Sequence, residues 1–192
     1  MKLKIHQVGE PVLRQQARPL SRDENLTEKH QSLIEWMRET MRDAPGVGLA
    51  APQIGLPIQV AVIEDREDYI KKLSPVEASE RSRVPVPFQV VINPKLTVIG
   101  SEKAEFFEGC LSLAGFVALV PRALEVRVDC LNERAEPVTI EAKGWYARIL
   151  QHEIDHLQGL LYIDHMKSRT FSSVENHGRY GSNRNDGKIT KN

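Results

Sequence analysis

The stretch Gln151–His156, QHEIDH, carries two histidines four residues apart, with Glu153 directly after the first. On a helix such histidines sit about one turn apart, so both imidazoles reach one metal ion, and Glu153, about 100° round the axis, meets a water bound to it. Helical periodicity runs from Trp145 to about Leu161. With His152 at the origin of the helical wheel, Leu150, Ile154, Leu157 and Leu161 gather on the far side, while Trp145, Ile149 and His156 share the histidine side. Such a helix is apolar on two sides: one faces a core, and the other suits the wall of a pocket with a polar centre.

A catalytic metal site needs a third protein ligand and an open position, whereas a structural site closes with four protein ligands. The spacings of known HExxH metallopeptidases point to Tyr162 or, farther on, Glu175, and neither fits well: the first is not a histidine and the second lies in a polar stretch. Cys110 fits better. It ends a strand-like run in Glu108-Gly109-Cys110-Leu111-Ser112, beside a glycine and outside any alternating core pattern. Cys130 instead continues the alternation Leu124, Val126, Val128, Cys130 and reads as core. Two cysteines are too few for a disulfide framework and suit a reducing compartment.

Outward from these segments, Leu33, Ile34, Met37 and Met41 recur at helical spacing between Asn25 and Arg42, with Asn25 or Thr27 as N-cap and Pro45-Gly46 as the stop. The small residues of GVGLAAPQIG, Gly46 to Gly55, read as a shaped loop that lets a backbone come close. Strand-like runs cover 59–63, 89–92, 96–99, 102–107, 124–131 and 138–142, and the charged, proline-containing segment 65–87 reads as a long surface excursion. The middle of the chain therefore reads as antiparallel β, with a helical segment before it and another after it. Residues 1–171 form a single domain, and 172–192 a polar, mobile tail.

A chain of 192 residues holds one ordinary domain. Twenty-six basic side chains balance 26 acidic ones, so no global positive field draws nucleic acid, and no specific nucleic-acid binding is predicted. The uncharged run from Gly46 to Ile63 is broken by Pro52, Gln53 and Pro57, so no membrane span is expected. The opening MKLKIHQVGEPVLRQQ resembles neither a signal peptide nor a transit sequence, which predicts a cytoplasmic chain or one already processed. From His177 onward four cationic side chains face one carboxylate; such a tail either touches ribosomal RNA or is merely solvated.

Taken together, GVGLAAPQIG, EGCLS and QHEIDH resemble peptide deformylase over nearly the whole chain to about Phe171. Through GFVALVPR and GWYARILQHE the likeness is to the subclass that includes plant and animal organellar enzymes and some bacterial ones. The resemblance implies an α+β fold, with antiparallel β-sheets around a central metal-binding helix and a further helix near the N-terminus, and hydrolysis of the N-formyl group from the formylmethionine that begins new polypeptides, with an HExxH metallopeptidase as the alternative. It implies Cys110, His152 and His156 as ligands of one divalent ion, natively Fe2+ with Zn2+, Ni2+ or Co2+ as substitutes, and Glu153 as general base. Gln53, through its amide, and Leu111, through its backbone N–H, would hold the oxyanion. Trp145, Ile149, Val47 and Phe106 would enclose the methionine side chain, Phe106 having core packing as an equal alternative. Gly46, Gly48 and Gly109 would leave room for the peptide backbone. An organellar matrix is the alternative compartment, and ribosome contact a possible partnership. Val117 stands where many bacterial members carry Arg. Arg122 either pairs with Glu108 or stays a solvated charge.

Overall fold

The structure is a computed structural model that describes residues 1–181 and 188–191. Its frame is an antiparallel sheet of β1 (Gly48–Ala50), β2 (Val60–Asp65), β3 (Val86–Cys110), β4 (Leu113–Leu131) and β5 (Pro137–Lys143), each paired with the next. Two short strands join it: β6 (Ser172–Ser173) on β4 and β7 (Lys188–Lys191) on β3. The helices are α1 (Arg22–Asn25), α2 (Glu28–Asp43), α3 (Glu67–Ile70), α4 (Pro75–Glu80), α5 (Gly144–Leu157) and α6 (Val174–Tyr180). The fold is thus α+β with an antiparallel sheet, as the sequence predicts. No helix among the described residues is long and apolar enough to cross a membrane.

Alternation along β2 explains how helices come to cover both faces of the sheet. Val60 and Val62 point to one side and join Leu33, Ile34, Met37 and Met41 of α2; Ala61 and Ile63 point to the other and join Leu150, Ile154 and Leu157 of α5. Helix α2 begins where Thr27 accepts a hydrogen bond from the His30 N–H, the cap that the sequence offers. Cys130 lies in the α5-side core, and burial pushes its thiol up to about 11, as expected of a packing residue.

Several expectations need correction. Helix α5 stops at Leu157, not Leu161, because Gly159 turns left-handed (φ 74°) while its N–H reaches His156 O and the Leu160 N–H reaches Asp155 O. The three runs expected at 89–92, 96–99 and 102–107 are one bent strand, β3, whose pairing with β4 slips at Ile92/Lys95, Ile99/Lys103 and Glu108/Cys110. Pro94 sits in the first slip, where its missing N–H breaks no regular ladder. Three residues of the expected glycine loop, Gly48–Ala50, are strand: β1 pairs Gly48 with Ile63 and Ala50 with Ala61, and a 3-10 turn, Ala51–Ile54, follows.

The excursion after β2 is not free of structure. It carries α3 and α4, is pinned by the Arg83 fork on Asp65 (2.7 and 2.9 Å), and accepts the Trp145 N–H at Arg81 O, 2.9 Å away. The segment after Phe171 carries regular structure over its described part. Ser172 and Ser173 pair with Val117 and Phe116, and α6 lays His177 against Phe107, with ring centroids 4.0 Å apart. Arg184 and Asp186, part of the charged tail, lie outside the described residues.

Met37 is completely buried between α2 and the sheet. Met37→Ala is expected to cost about 2–5 kcal/mol of unfolding free energy, read as a lower urea midpoint at unchanged slope.

Candidate metal centre

Two distant segments meet beneath a cleft of about 620 Å³. One is the tip of the β3–β4 hairpin, where Cys110 pairs with Leu113 across a tight turn; the other is the middle of α5. Cys110 Sγ lies 3.3 Å from His156 Nε2, and one donor atom each from Cys110, His152 and His156 falls within 4.8 Å of the others. A sulfur and two imidazole nitrogens at this spacing are a donor set for a borderline-soft divalent cation, and three protein ligands leave further coordination positions open.

The orientation of His152 is set from behind. Its Nδ1–H donates to Glu108 Oε2 at 3.0 Å, which turns Nε2 toward the cluster. Glu108 is buried and accepts three more hydrogen bonds: from Arg122 Nε and Nη2 (3.0 and 3.1 Å) and from Arg148 Nη1 (2.6 Å). Arg122 also pairs with Asp155, and Arg148 donates to the carbonyls of Val120 and Ala104. Of the two alternatives for Arg122, the structure has the buried pair.

Electrostatics follow from this arrangement. Burial alone would raise the Glu108 carboxyl, but Arg122 and the His152 imidazole reverse that and hold it well below the usual carboxylate range. Burial works against protonation of His152, yet the Cys110 sulfur and Glu108 hold its imidazole well above the ordinary value. A proton and a divalent cation compete for the same lone pair, so a field that retains one also favours the other. Burial and the His152 charge push His156 well below its ordinary value. Burial raises Glu153 to about 7, and its Oε2 has no partner among the described residues.

The glycines have separate jobs. A Cβ on Gly48 would sit 2.1 Å from Glu153 Oε1, so the glutamate occupies space that only glycine leaves. A Cβ on Gly46 would come within 2.8 Å of Leu111 Cδ1. Gly109 is different: a Cβ there would meet only ordinary contacts at 3.5 Å, so its neighbours do not demand glycine.

Gln53 is fixed at both ends of its amide. Oε1 accepts from the Ala50 N–H at 2.8 Å, and Nε2 donates to Ser112 Oγ at 3.1 Å while lying 3.6 Å from Cys110 Sγ. The N-terminal segment ties this corner together. His6 N–H donates to Gln53 O, Val8 N–H to Ser112 O, and Gln7 Nε2 to Leu111 O at 2.9 Å.

Gly46, Val47, Gly48, Gly109, Leu111, Trp145 and Ile149 line the cleft with Gln53, Cys110, His152 and Glu153; His156 completes the donor cluster from just beneath. Phe106 does not line it. Strand alternation turns Phe106 inward, edge-on to Trp145 at 6.0 Å and under Arg148, and presents Phe107 to the cleft. Arg148, Ser112, Gln7 and Val174 are further contributors that sequence reasoning missed. Only Arg148 had a legible signal, lying four residues before His152 on the same helical face. Glu175, the peptidase-like alternative, is exposed and bonded to Arg179 at 2.6 Å.

The family model described as polypeptide deformylase matches residues 2–172. The chain is 48% identical over 172 residues to peptide deformylase 1A, chloroplastic, of Solanum lycopersicum, covering 90% of this chain and 62% of that protein. It is 45% identical over 170 residues to the mitochondrial peptide deformylase of Homo sapiens, covering 88% of this chain and 70% of that one. A crystal structure of a peptide deformylase from Acinetobacter baumannii with Met-Ala-Ser bound superposes with TM-score 0.77 at 31% identity, covering 86% of this chain and 99% of that one. The chain belongs to the polypeptide deformylase family; it spans about three-fifths of the length of the plant relatives it matches.

Glu108→Gln keeps the shape but removes the charge that His152 and two guanidinium groups face. It is expected to weaken Zn2+ or Co2+ binding about 10–100-fold in chelator competition. Stability should fall by about 3–5 kcal/mol, because buried cations lose their partner.

Proposed function

We propose that this protein hydrolyses the N-formyl group of peptides beginning with formylmethionine, releasing formate. The observation that carries the reading is the three-donor cluster of Cys110, His152 and His156 beside a buried glutamate, in a chain of this family. When bound there, a divalent cation acidifies a water molecule and polarises the formyl carbonyl. The donor set suits ferrous iron and zinc alike; on the family resemblance the native ion is proposed to be Fe2+, with Zn2+, Ni2+ or Co2+ accepted in its place.

Glu153 is the proposed general base. Its carboxylate takes the proton of the attacking water as the oxygen reaches the formyl carbon, then delivers it to the departing amine, so one residue serves both steps. Its high value in the buried site suits a group that must take up and release a proton near neutrality. As the carbonyl oxygen gains charge, the Gln53 amide and the Leu111 N–H are its proposed donors, each such donor being worth about 3 kcal/mol in a dry site. The anchoring of Gln53 Oε1 on Ala50 supports this, because it leaves the NH2 end on the sulfur side.

Trp145, Ile149 and Val47 are proposed to hold the methionine side chain, with Gly46, Gly48 and Gly109 leaving the backbone room to lie extended against the cleft. The bound Met-Ala-Ser of the Acinetobacter relative supports a peptide of that chemistry as occupant. Residues 1–171 are the catalytic unit in this reading and 172–192 an appendage that contributes Val174 to the cleft rim. Cytoplasm is the proposed compartment, with an organellar matrix as the alternative supported by the plant and human relatives. Contact with the ribosome through the basic tail belongs to the same proposal. The peptidase alternative is not favoured, since Glu175 is engaged with Arg179.

Formate release from formyl-Met-Ala-Ser by anaerobically purified protein, with elemental analysis of the same sample, tests the reading. Cys110→Ser should abolish both metal and turnover, whereas Glu153→Gln should keep the metal and lose about 10²–10⁴-fold in kcat. Activity without metal, or a full-rate Glu153→Gln variant, would overturn it. Gly48→Ala should displace the Glu153 carboxylate and lower kcat by about 10²-fold with metal content unchanged.

A further inference from the structure

The indole of Trp145, which lines the cleft, is also gripped from outside it. Three guanidinium groups stand over the ring: Arg81 at 5.0 Å, Arg83 at 5.2 Å and Arg148 at 5.7 Å from its centroid. Arg148 lies on α5 itself and is bonded to Glu108. Arg81 and Arg83 come instead from the excursion between β2 and β3. Arg83 is neutralised where it stands, because its fork on Asp65 buries both groups, the side chains being 10% and 1% exposed. A guanidinium held out of water over an indole attracts it more strongly than an exposed one does.

The backbone is built for this approach. Helix α4 ends where Ser82 turns left-handed (φ 45°) and the Arg83 N–H reaches Ala78 O. That turn rests on the start of α5, where Arg81 O takes the Trp145 N–H, a donor that a helix leaves open in its first turn. A Cβ on Gly144 would sit 2.6 Å from Ser82 Cβ and 2.8 Å from Arg81 O, so this contact requires glycine there. Asp65 closes β2, so the clamp runs from the sheet through Arg83 to the indole. Neither Arg81 nor Arg83 lines the cleft, and an influence of Arg83 on a bound peptide must therefore pass through Trp145.

We propose that Arg83, held by Asp65, is a positioning residue: by fixing the Trp145 indole it sets how closely the cleft fits the first side chain of the formylated peptide. The excursion between β2 and β3 thereby takes part in substrate selection without touching the substrate. The proposal rests on the deformylase reading and deepens it. Arg83 acts in it through KM and not through the chemical step.

Its test measures kcat and KM of the metal-loaded protein on formyl-Met-Ala-Ser and on formyl-Ala-Ala-Ser, whose first side chain is a single methyl group. Arg83→Leu is expected to raise KM for the methionine peptide about tenfold, with kcat and metal content within about twofold, and to leave the alanine peptide unchanged. Asp65→Asn should do the same, and decides the matter if Arg83→Leu folds poorly. Added to Trp145→Leu, Arg83→Leu should have no further effect, because its influence passes through the indole. The chain has two tryptophans, so in a Trp36→Phe background Arg83→Leu should increase acrylamide quenching of Trp145 fluorescence. An unchanged KM, equal losses on both peptides, or a loss confined to kcat or metal content would overturn the positioning role, while turnover of formyl-Met-Ala-Ser by the unaltered protein upholds the deformylase reading. No formate from either peptide would overturn both.

Discussion

A single buried carboxylate, Glu108, governs the site. Each of its oxygens accepts two hydrogen bonds: Oε1 from Arg122 and Arg148, Oε2 from Arg122 and the His152 imidazole. Taking such charges out of water costs several kcal/mol per ion, and only nearly complete pairing offsets it. The arrangement therefore specifies more than it stabilises. It fixes which nitrogen of His152 faces the cation, ties strand β3 to strand β4 and helix α5, and brings the Cys110 turn to its height above the helix. Arg122 extends the same network to Asp155, so both ends of the HEIDH segment are held by charge.

Much of this was legible in the chain itself. Four-residue spacing of histidines survives folding because a helix is a rigid ruler, and Cys110 could be singled out because it broke an apolar alternation that Cys130 kept. Other features needed three dimensions. Phe106 and Phe107 are equally apolar neighbours, and period-two alternation says only that they face opposite ways; which one meets the cleft depends on the β3 register, set partly by the slip at Glu108/Cys110. The join of three runs into β3 was hidden because bulges interrupt the pattern without ending the strand. Gly159, in contrast, was a readable stop for α5, since a glycine just beyond a helix end is the usual left-handed cap.

The glycine segment shows how local and distant demands combine. Gly48 pairs with Ile63 as a strand residue and at the same time makes way for Glu153 from α5. Gly46 makes way for Leu111 from the hairpin turn. Small residues here are not the mark of a flexible loop. They mark where three pieces of backbone converge, with the residues from His6 to Val8 stitching the outer side through hydrogen bonds to Gln53, Leu111 and Ser112.

The thiol and the second imidazole that meets it are 46 residues apart in the chain, and the helix that brings the imidazole is held by packing against the sheet. During synthesis the sulfur therefore emerges well before its histidine companions. Until α5 docks it stands bare, open to oxidants and to any stray soft metal. The three donors come together only when α5 reaches the hairpin, and the half-buried Cys110 still borders the open cleft in the folded protein.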